Sequence, residues 1–275
     1  MYEEITKLIG KEKGPTSIIL AGVHGDERCG IDALEKILPT ILIEKGIVLF
    51  GYGNPRAIEA NKRFTESNLN RLFKDDDLLL ETERNSYEYK RAQFLKKYLN
   101  QADALLDIHA NLTLNSKPFL ICEVNAKEIV ERLPIDLVVS GFDHIQPGGT
   151  DYYMNSIGKI GICVECGYLN DPQSTQIAEK NIFAFLKARG HIKNSLKPQS
   201  QSHVRIYDSY KVKTNRFTLV KTFNDFEEIL KGQTIGIDGG EKVKAERRCV
   251  ILFARNREQI GDEAFLLGEK KNSLV

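Results

Sequence analysis

Strand-length apolar runs alternate with helical patterns over the first two-thirds of the chain, and this alternation restricts the fold more than any other feature. The strand candidates are residues 17–21, 46–51, 104–108, 119–124, 137–140 and 160–165. Helical periodicity is clearest at 86–99 and 174–187, where Ile177, Ile182, Phe183 and Leu186 make an apolar stripe. Strands that alternate with helices bury themselves in layers. The expected class is therefore α/β, with a mixed central sheet flanked by helices. In such sheets active sites gather at the carboxyl ends of strands.

The pattern changes after a polar, proline-containing stretch at 193–202. Short strand-like pieces at 204–207, 217–220, 234–237 and 249–253 alternate there with Gly-rich or charged turns. We expect two units, an α/β unit over 1–195 and a small β-rich unit over 200–275. The acidic run Asp75-Asp76-Asp77 lacks the glycine and ligand spacing of a calcium loop and reads as solvated.

The run Ala21-Gly22-Val23-His24-Gly25-Asp26-Glu27 closes the first strand candidate and precedes a helical pattern through Ile31, Leu34, Ile37 and Leu38. A spacing of three puts His24 and Glu27 on one side of a helical turn, within reach of one metal ion. His109 ends the run Leu106-Asp107-Ile108-His109, and Glu165 ends another apolar strand. Two histidines and a glutamate are a normal ligand set for catalytic zinc, with a fourth position left for water. A further glutamate nearby can take the proton from that water. A lone histidine after a strand is more often structural than ligating, but a carboxylate at the end of an apolar strand is costly to bury unpaired. Asp107 shares a strand face with His109, and either orients that imidazole or caps a neighbouring helix. Arg63 and Arg71 flank a polar loop that carries Asn70. The arginine fork fits carboxylates, which suits an anionic substrate; taken alone, both arginines read more readily as solvated surface charges.

Composition narrows the remaining classes. The chain has 275 residues, 41% of them hydrophobic, enough for a sizeable core. Its 39 basic and 38 acidic residues leave a net charge of +1, which gives no basic surface for nucleic acid or membrane. The acidic start, Met1-Tyr2-Glu3-Glu4, has no signal-like apolar region, and no run approaches transmembrane length. Five cysteines, an odd number, argue for reduced thiols in the cytoplasm. Cys163 and Cys166 have C-x-x-C spacing, but on a strand that spacing points them to opposite faces, so we expect two buried small side chains.

Taken in order, G-x-H-G-D-E, N-P-R-A, R-F-x(4)-L-N-R-L-F, D-x-H and G-x-x-x-E-x-G resemble the succinylglutamate desuccinylase and aspartoacylase family, part of the zinc carboxypeptidase-like superfamily. The motifs cover residues 17–170, and the tail around Gly261-Asp262-Glu263-Ala264-Phe265-Leu266 is less distinctively similar. The resemblance implies one zinc ion per chain, held by His24, Glu27 and His109. It implies that Glu165 is the base that activates water and then the acid that protonates the leaving amine. Arg63 would polarise the scissile carbonyl and steady the oxyanion. Asn70 and Arg71 would hold the carboxylate of the amino-acid part. The expected activity is hydrolysis of the amide of a small anionic N-acyl amino acid.

The sequence departs from the family pattern at Asn68, where many members carry aspartate. It departs again at Asn155, ten residues before Glu165, where aspartoacylases use an arginine for the side-chain carboxylate of their substrate. The second departure argues against N-acetylaspartate. Tyr207 and Tyr210 are candidates for the substrate-facing tyrosine of the family's tail. Two rival readings remain: a metallocarboxypeptidase acting on peptides, and a non-catalytic binding protein, against which the intact set His24, Glu27, His109 and Glu165 argues. A tail that roofs the site would favour small substrates over peptides.

Overall fold

The computed structural model describes residues 2–114, 116–194 and 196–274. Met1 and Ser195, which fall in the expected start and linker, lie outside the described residues. In chain order the strands are β1 (Thr6–Ile9), β2 (Glu12–Ala21), β3 (Lys45–Tyr52), β4 (Ala104–Asn111), β5 (Phe119–Cys122), β6 (Leu137–Ser140), β7 (Ile160–Tyr168), β8 (Ser202–Lys211), β9 (Phe217–Leu219), β10 (Glu227–Ile229), β11 (Thr234–Asp238), β12 (Glu241–Lys244), β13 (Cys249–Leu252) and β14 (Glu263–Lys271). The helices are α1 (Arg28–Ile37), α2 (Pro55–Ala60), α3 (Glu81–Arg84), α4 (Tyr87–Leu99), α5 (Lys127–Val130), α6 (Phe142–Ile145), α7 (Thr150–Ser156) and α8 (Ser174–Ala188).

Among the described residues, eleven strands form one mixed sheet in the order β1-β3-β2-β4-β7-β5-β6-β8-β14-β13-β10. The centre is parallel: β2 pairs with β3 and β4, and β4 with β7. β5 runs antiparallel to β7. β6 then pairs in parallel with β8, and through that pairing the sheet continues into the tail. A second sheet, β12-β11-β9, is small and antiparallel. This is the α/β class with a mixed central sheet, as expected.

The central strands read as continuous apolar runs because both faces are covered. On one face Ile19, Leu106 and Ile162 pack with Ile31 and Leu34 of α1 and Ile182 and Phe185 of α8. On the other, Ile18, Leu20 and Leu105 pack with Leu95 and Leu99 of α4 and with Leu72 and Phe73. α8 buries Ala178, Ile182, Phe185 and Leu186, whereas Phe183 of the expected stripe is 40% exposed. Phe183 lies about 100° around the helix from Ile182, outside the arc that faces the sheet. Val124 also leaves its expected strand for a single 3-10 turn. Cys163 and Cys166 do point to opposite faces, each into a different apolar cluster, and all five thiols are free and buried. No helix of the described residues is long and apolar enough to cross a membrane.

Candidate active site

The first candidate ligands arise from a glycine-built turn. β2 ends at Ala21, and Gly22 follows with φ 67°, a conformation that favours glycine. Gly25 lies against the backbone of α2; a Cβ there would come within 2.1 Å of the Ala57 carbonyl carbon. Glu27 immediately precedes α1 with φ −88° and ψ 80°. The expectation of a shared helical turn is therefore corrected. His24 and Glu27 meet across a tight turn in which the Glu27 amide donates to the His24 carbonyl at 3.2 Å, and the helix begins only at Arg28.

Ring and carboxylate atoms of His24, Glu27 and His109 all lie within 4.8 Å of one another, and all three residues are buried. His24 Nδ1 is 2.8 Å from Glu27 Oε1, and His109 Nδ1 is 2.9 Å from Glu27 Oε2. The other ring nitrogens have partners of their own. His109 Nε2 is 3.1 Å from Asp107 Oδ2, and His24 Nε2 is 3.1 Å from Asn68 Oδ1. The Asn70 amide also donates to Asn68 Oδ1, which fixes the orientation of that side chain. Both partners are acceptors, so each Nε2 carries the ring proton. The Nδ1 atoms are then the ones turned toward the Glu27 carboxylate. Glu27 lies at hydrogen-bond distance from both Nδ1 atoms, and imidazole nitrogen with carboxylate oxygen, once any proton between them is lost, is the donor set that zinc takes. The residues fit a divalent metal.

Ionisation of the cluster follows from the same contacts. Burial pushes His24 down to about 4, which keeps it neutral as a ligand must be. Burial acts the same way on His109, but the charges of Asp107 and Glu27 outweigh it and raise that imidazole. Burial works to raise Glu27, yet the two imidazoles and their hydrogen bonds hold it well below the usual carboxylate range.

Glu165 comes from the neighbouring strand. It is directly opposite His109 in the β4–β7 register, so the sheet itself sets their separation. Glu165 is only 8% exposed, and its Oε2 has no hydrogen-bond partner. Burial, and then the charge of Glu27, raises its pKa to about 8. Such a carboxyl group holds or releases a proton near neutrality.

Arg63, Asn70 and Arg71 all face the same cavity, of about 670 Å³. Arg63 Nη1 donates to Glu27 Oε1 at 2.9 Å. Arg71 Nη1 donates to the Asn70 carbonyl at 2.7 Å, and Asn70 Oδ1 accepts from the Thr150 amide at 3.3 Å. Of the two roles considered for Asp107, it takes the first: it bonds His109, and it caps no helix, its other contact being the Thr150 hydroxyl at the start of α7, whose N-terminus has no side-chain cap. The tail contributes Phe253, Arg255, Arg257, Gln259, Asp262 and Glu263 to the cavity wall. Asp225 ties this segment down, accepting from the Phe253 amide at 2.8 Å and the Ser116 hydroxyl at 2.8 Å.

Neither tail tyrosine lines the cavity. Tyr210 donates to Asp238 at 2.8 Å and stacks on Phe265, while Arg247 covers the Tyr207 ring at 3.6 Å. The tyrosine in the wall is Tyr152. Asn155 does not line the cavity either; its Nδ2 donates to Asp143 at 3.0 Å. Sequence reasoning missed Asp143, Gln146, Asp151, Arg255 and Arg257, which lie in helices or connections too short to show periodicity. The one trace in sequence is the pair Arg255 and Arg257, two apart, just ahead of the turn at Gly261.

Residues 13–189 match the sequence model of the succinylglutamate desuccinylase/aspartoacylase catalytic domain. The chain belongs to this family. The chain is 25% identical over 284 residues to a succinylglutamate desuccinylase of Shewanella sp. (strain MR-4), covering 92% of this chain and 82% of that protein. It is 31% identical over 187 residues to an N-acyl-aromatic-L-amino acid amidohydrolase (carboxylate-forming) of Rattus norvegicus, covering 62% of this chain and 57% of that one. The fold resembles that of the Vibrio parahaemolyticus succinylglutamate desuccinylase, with a TM-score of 0.81 at 17% identity, over 97% of this chain and 86% of that one. Members of the family are deacylases of N-acyl amino acids, and the desuccinylase fold extends over the tail as well as the catalytic region.

Proposed function

We propose that this protein is a zinc-dependent amidohydrolase that cleaves the amide bond of a small N-acyl amino acid. One observation carries the reading: three buried groups with metal-ligand atoms, His24, Glu27 and His109, converge within 4.8 Å, with the orphaned Glu165 Oε2 in the same cavity. His24, Glu27 and His109 would hold one zinc ion. When bound, the ion supplies Lewis acidity, which brings the pKa of water toward neutrality and polarises a carbonyl oxygen.

The chain's own groups do the rest. Glu165 accepts a proton from the attacking water, and later delivers it to the amine nitrogen as the C–N bond breaks. The products are a carboxylic acid and a free amino acid. Arg63 supports the developing oxyanion, and does so best when substrate draws it from Glu27. Asn70 and Arg71 bind the carboxylate of the amino-acid part through the guanidinium fork and an amide donor. The tail segment 253–263 narrows the cavity, which favours small substrates over peptides. Five free thiols support a reducing compartment such as the cytoplasm.

The test is metal content together with amine release from N-acyl amino acids, for wild type and Glu165→Gln. We expect one zinc per chain in both proteins. The variant should lose roughly 10²- to 10⁴-fold in kcat, the usual contribution of general acid–base catalysis. Turnover that survives the substitution would remove Glu165 from proton transfer. A protein that neither binds zinc nor gains activity with it would refute the hydrolase reading.

A further inference from the structure

One residue of the cavity wall is held in a conformation that its side chain does not favour. Phe253 has φ 54°, in the left-handed region that a bulky residue seldom occupies. Such strain persists only where the surroundings fix it, and it gathers at functional sites. Here Asp225 fixes it. Its Oδ1 accepts from the Phe253 amide at 2.8 Å, while Oδ2 accepts from the Ser116 hydroxyl at 2.8 Å and from Asn111 Nδ2 at 3.3 Å. Asn111 ends β4, the strand that carries His109. The strained residue is thus tied directly to the strand of a candidate metal ligand.

The strain redirects one ring. Along β13 the side chains alternate: Cys249 and Ile251 enter one apolar cluster, Val250 and Leu252 another. Continued alternation would send Phe253 after Ile251. The left-handed turn sends it after Leu252 instead, onto the cluster that holds Phe119, Ile121, Phe142 and Cys163. Its ring lies 6.1 Å from that of Phe119 and 6.4 Å from that of Phe142. Strand register sets this cluster beside the proposed base. His109, Glu165 and Phe119 form one row across β4, β7 and β5, and Asp107, Cys163 and Ile121 form the next. Residues paired in this way share a face of the sheet. The face therefore changes character across β7, from polar at β4 to apolar at β5. Ile121, Phe142, Cys163 and Phe253 all reach the cavity from the apolar side.

We propose that Phe253 sets the substrate preference of this site, as the wall of a subsite for an apolar group carried beside the scissile amide. This inference rests on the hydrolase reading above. Arg71 and Asn70 take the α-carboxylate, and the favoured substrate is an N-acyl amino acid whose side chain or acyl chain is apolar and several carbons long. Such a group leaves water for the wall and gains with each methylene it buries. Arg255, whose Nε donates to the Phe253 carbonyl at 3.4 Å, offers the rival, an anionic group in the same place.

Amine release from N-acetyl-L-alanine, N-acetyl-L-norleucine, N-pentanoyl-L-alanine and N-acetyl-L-glutamate tests this, for wild type, Phe253→Gly and Phe253→Asn. We expect kcat/KM for norleucine or for the pentanoyl compound to exceed that for N-acetylalanine by roughly ten- to a hundredfold, the worth of three buried methylenes. Whichever of the two gains tells which chain, side or acyl, fills the subsite. Each substitution should cut that ratio about tenfold. Glycine and asparagine both accept the left-handed conformation, so a changed ratio reports the ring and not the turn. A wild type that prefers the glutamate derivative gives the wall to Arg255. That result, a wild type without preference, or a ratio that neither variant moves overturns the proposal and leaves the hydrolase reading intact. If no derivative turns over, the hydrolase reading has failed, and melting temperatures decide, with pentanoate and L-norleucine set against acetate and L-alanine. A rise with an apolar ligand alone, lost in Phe253→Gly, supports the subsite; equal responses reject it.

Discussion

Replacing Asp107 with asparagine keeps the side chain's shape and its contact with Thr150, but removes the negative charge beside His109 Nε2. The imidazole then keeps an acceptor but loses the adjacent charge, and its Nδ1 becomes a poorer donor to a metal. Zinc affinity, read by competition with a chromophoric chelator, should fall about 10- to 100-fold. Unchanged affinity would make Asp107 a tie to α7 and nothing more. At this scale the sequence was informative where chemistry and position coincide. His109 and Glu165 stand near the ends of apolar strands, and His24 and Glu27 in the turn that follows one, where a polar residue needs a reason. Asp143 and Asp151 stand in the first turns of two short helices, where acids are ordinary. Only the packing of α7 against β7 and of α6 against β8 brings them to the cavity.

Between residue and molecule, two contacts hold the site's loops in place. The turn that carries His24 and Glu27 depends on Gly25, whose missing Cβ lets it approach α2 backbone to backbone. Backbone cannot yield as a flexible side chain does, so Gly25→Ala should displace the turn. We expect lost zinc binding and a lower melting temperature; a variant that still holds one zinc per chain would contradict this. The loop that carries Arg63, Asn70 and Arg71 hangs on Glu88 of α4. That carboxylate accepts from the Thr65 amide at 2.7 Å, the Thr65 hydroxyl at 2.6 Å, the Ser67 amide at 3.1 Å and Asn54 Nδ2 at 3.2 Å. Burial alone would raise the Glu88 pKa, but these hydrogen bonds lower it overall. A depressed carboxylate stabilises the fold above its unfolded pKa, and that stability is lost as pH falls through the folded value. Glu88→Gln should therefore cost about 1–3 kcal/mol at neutral pH. In denaturant titrations the gap from wild type should close on acidification below about pH 4.5. A gap that stays constant with pH would mean that the ionised form of Glu88 is not what holds the loop. None of this is legible locally, since Glu88 reads as one more charge on a helix and its partners lie more than 20 residues away.

For the whole molecule, a metal that binds only the folded chain adds to stability by mass action. At a free concentration a thousandfold above Kd the gain is about 4 kcal/mol, which in a chain of this size moves the melting temperature on the order of 10 °C. Removing metal with a chelator and restoring zinc should show that difference, and identical melting curves would mean that the site does not bind. The sheet that supports the site was half legible. Periodicity revealed its central strands, because each is a continuous apolar run. The β6–β8 pairing joins two short runs far apart in sequence, and no local pattern announces it. That pairing has a consequence for how such a molecule can change over generations. A roof on a hinge can be exchanged, enlarged or lost as a module, but this one is continuous with the main sheet, so its outline is inherited with the sheet. New substrate preferences must then come through single side chains on the connection from Leu252 to Glu263, one replacement at a time, while the strands on either side stay as they are.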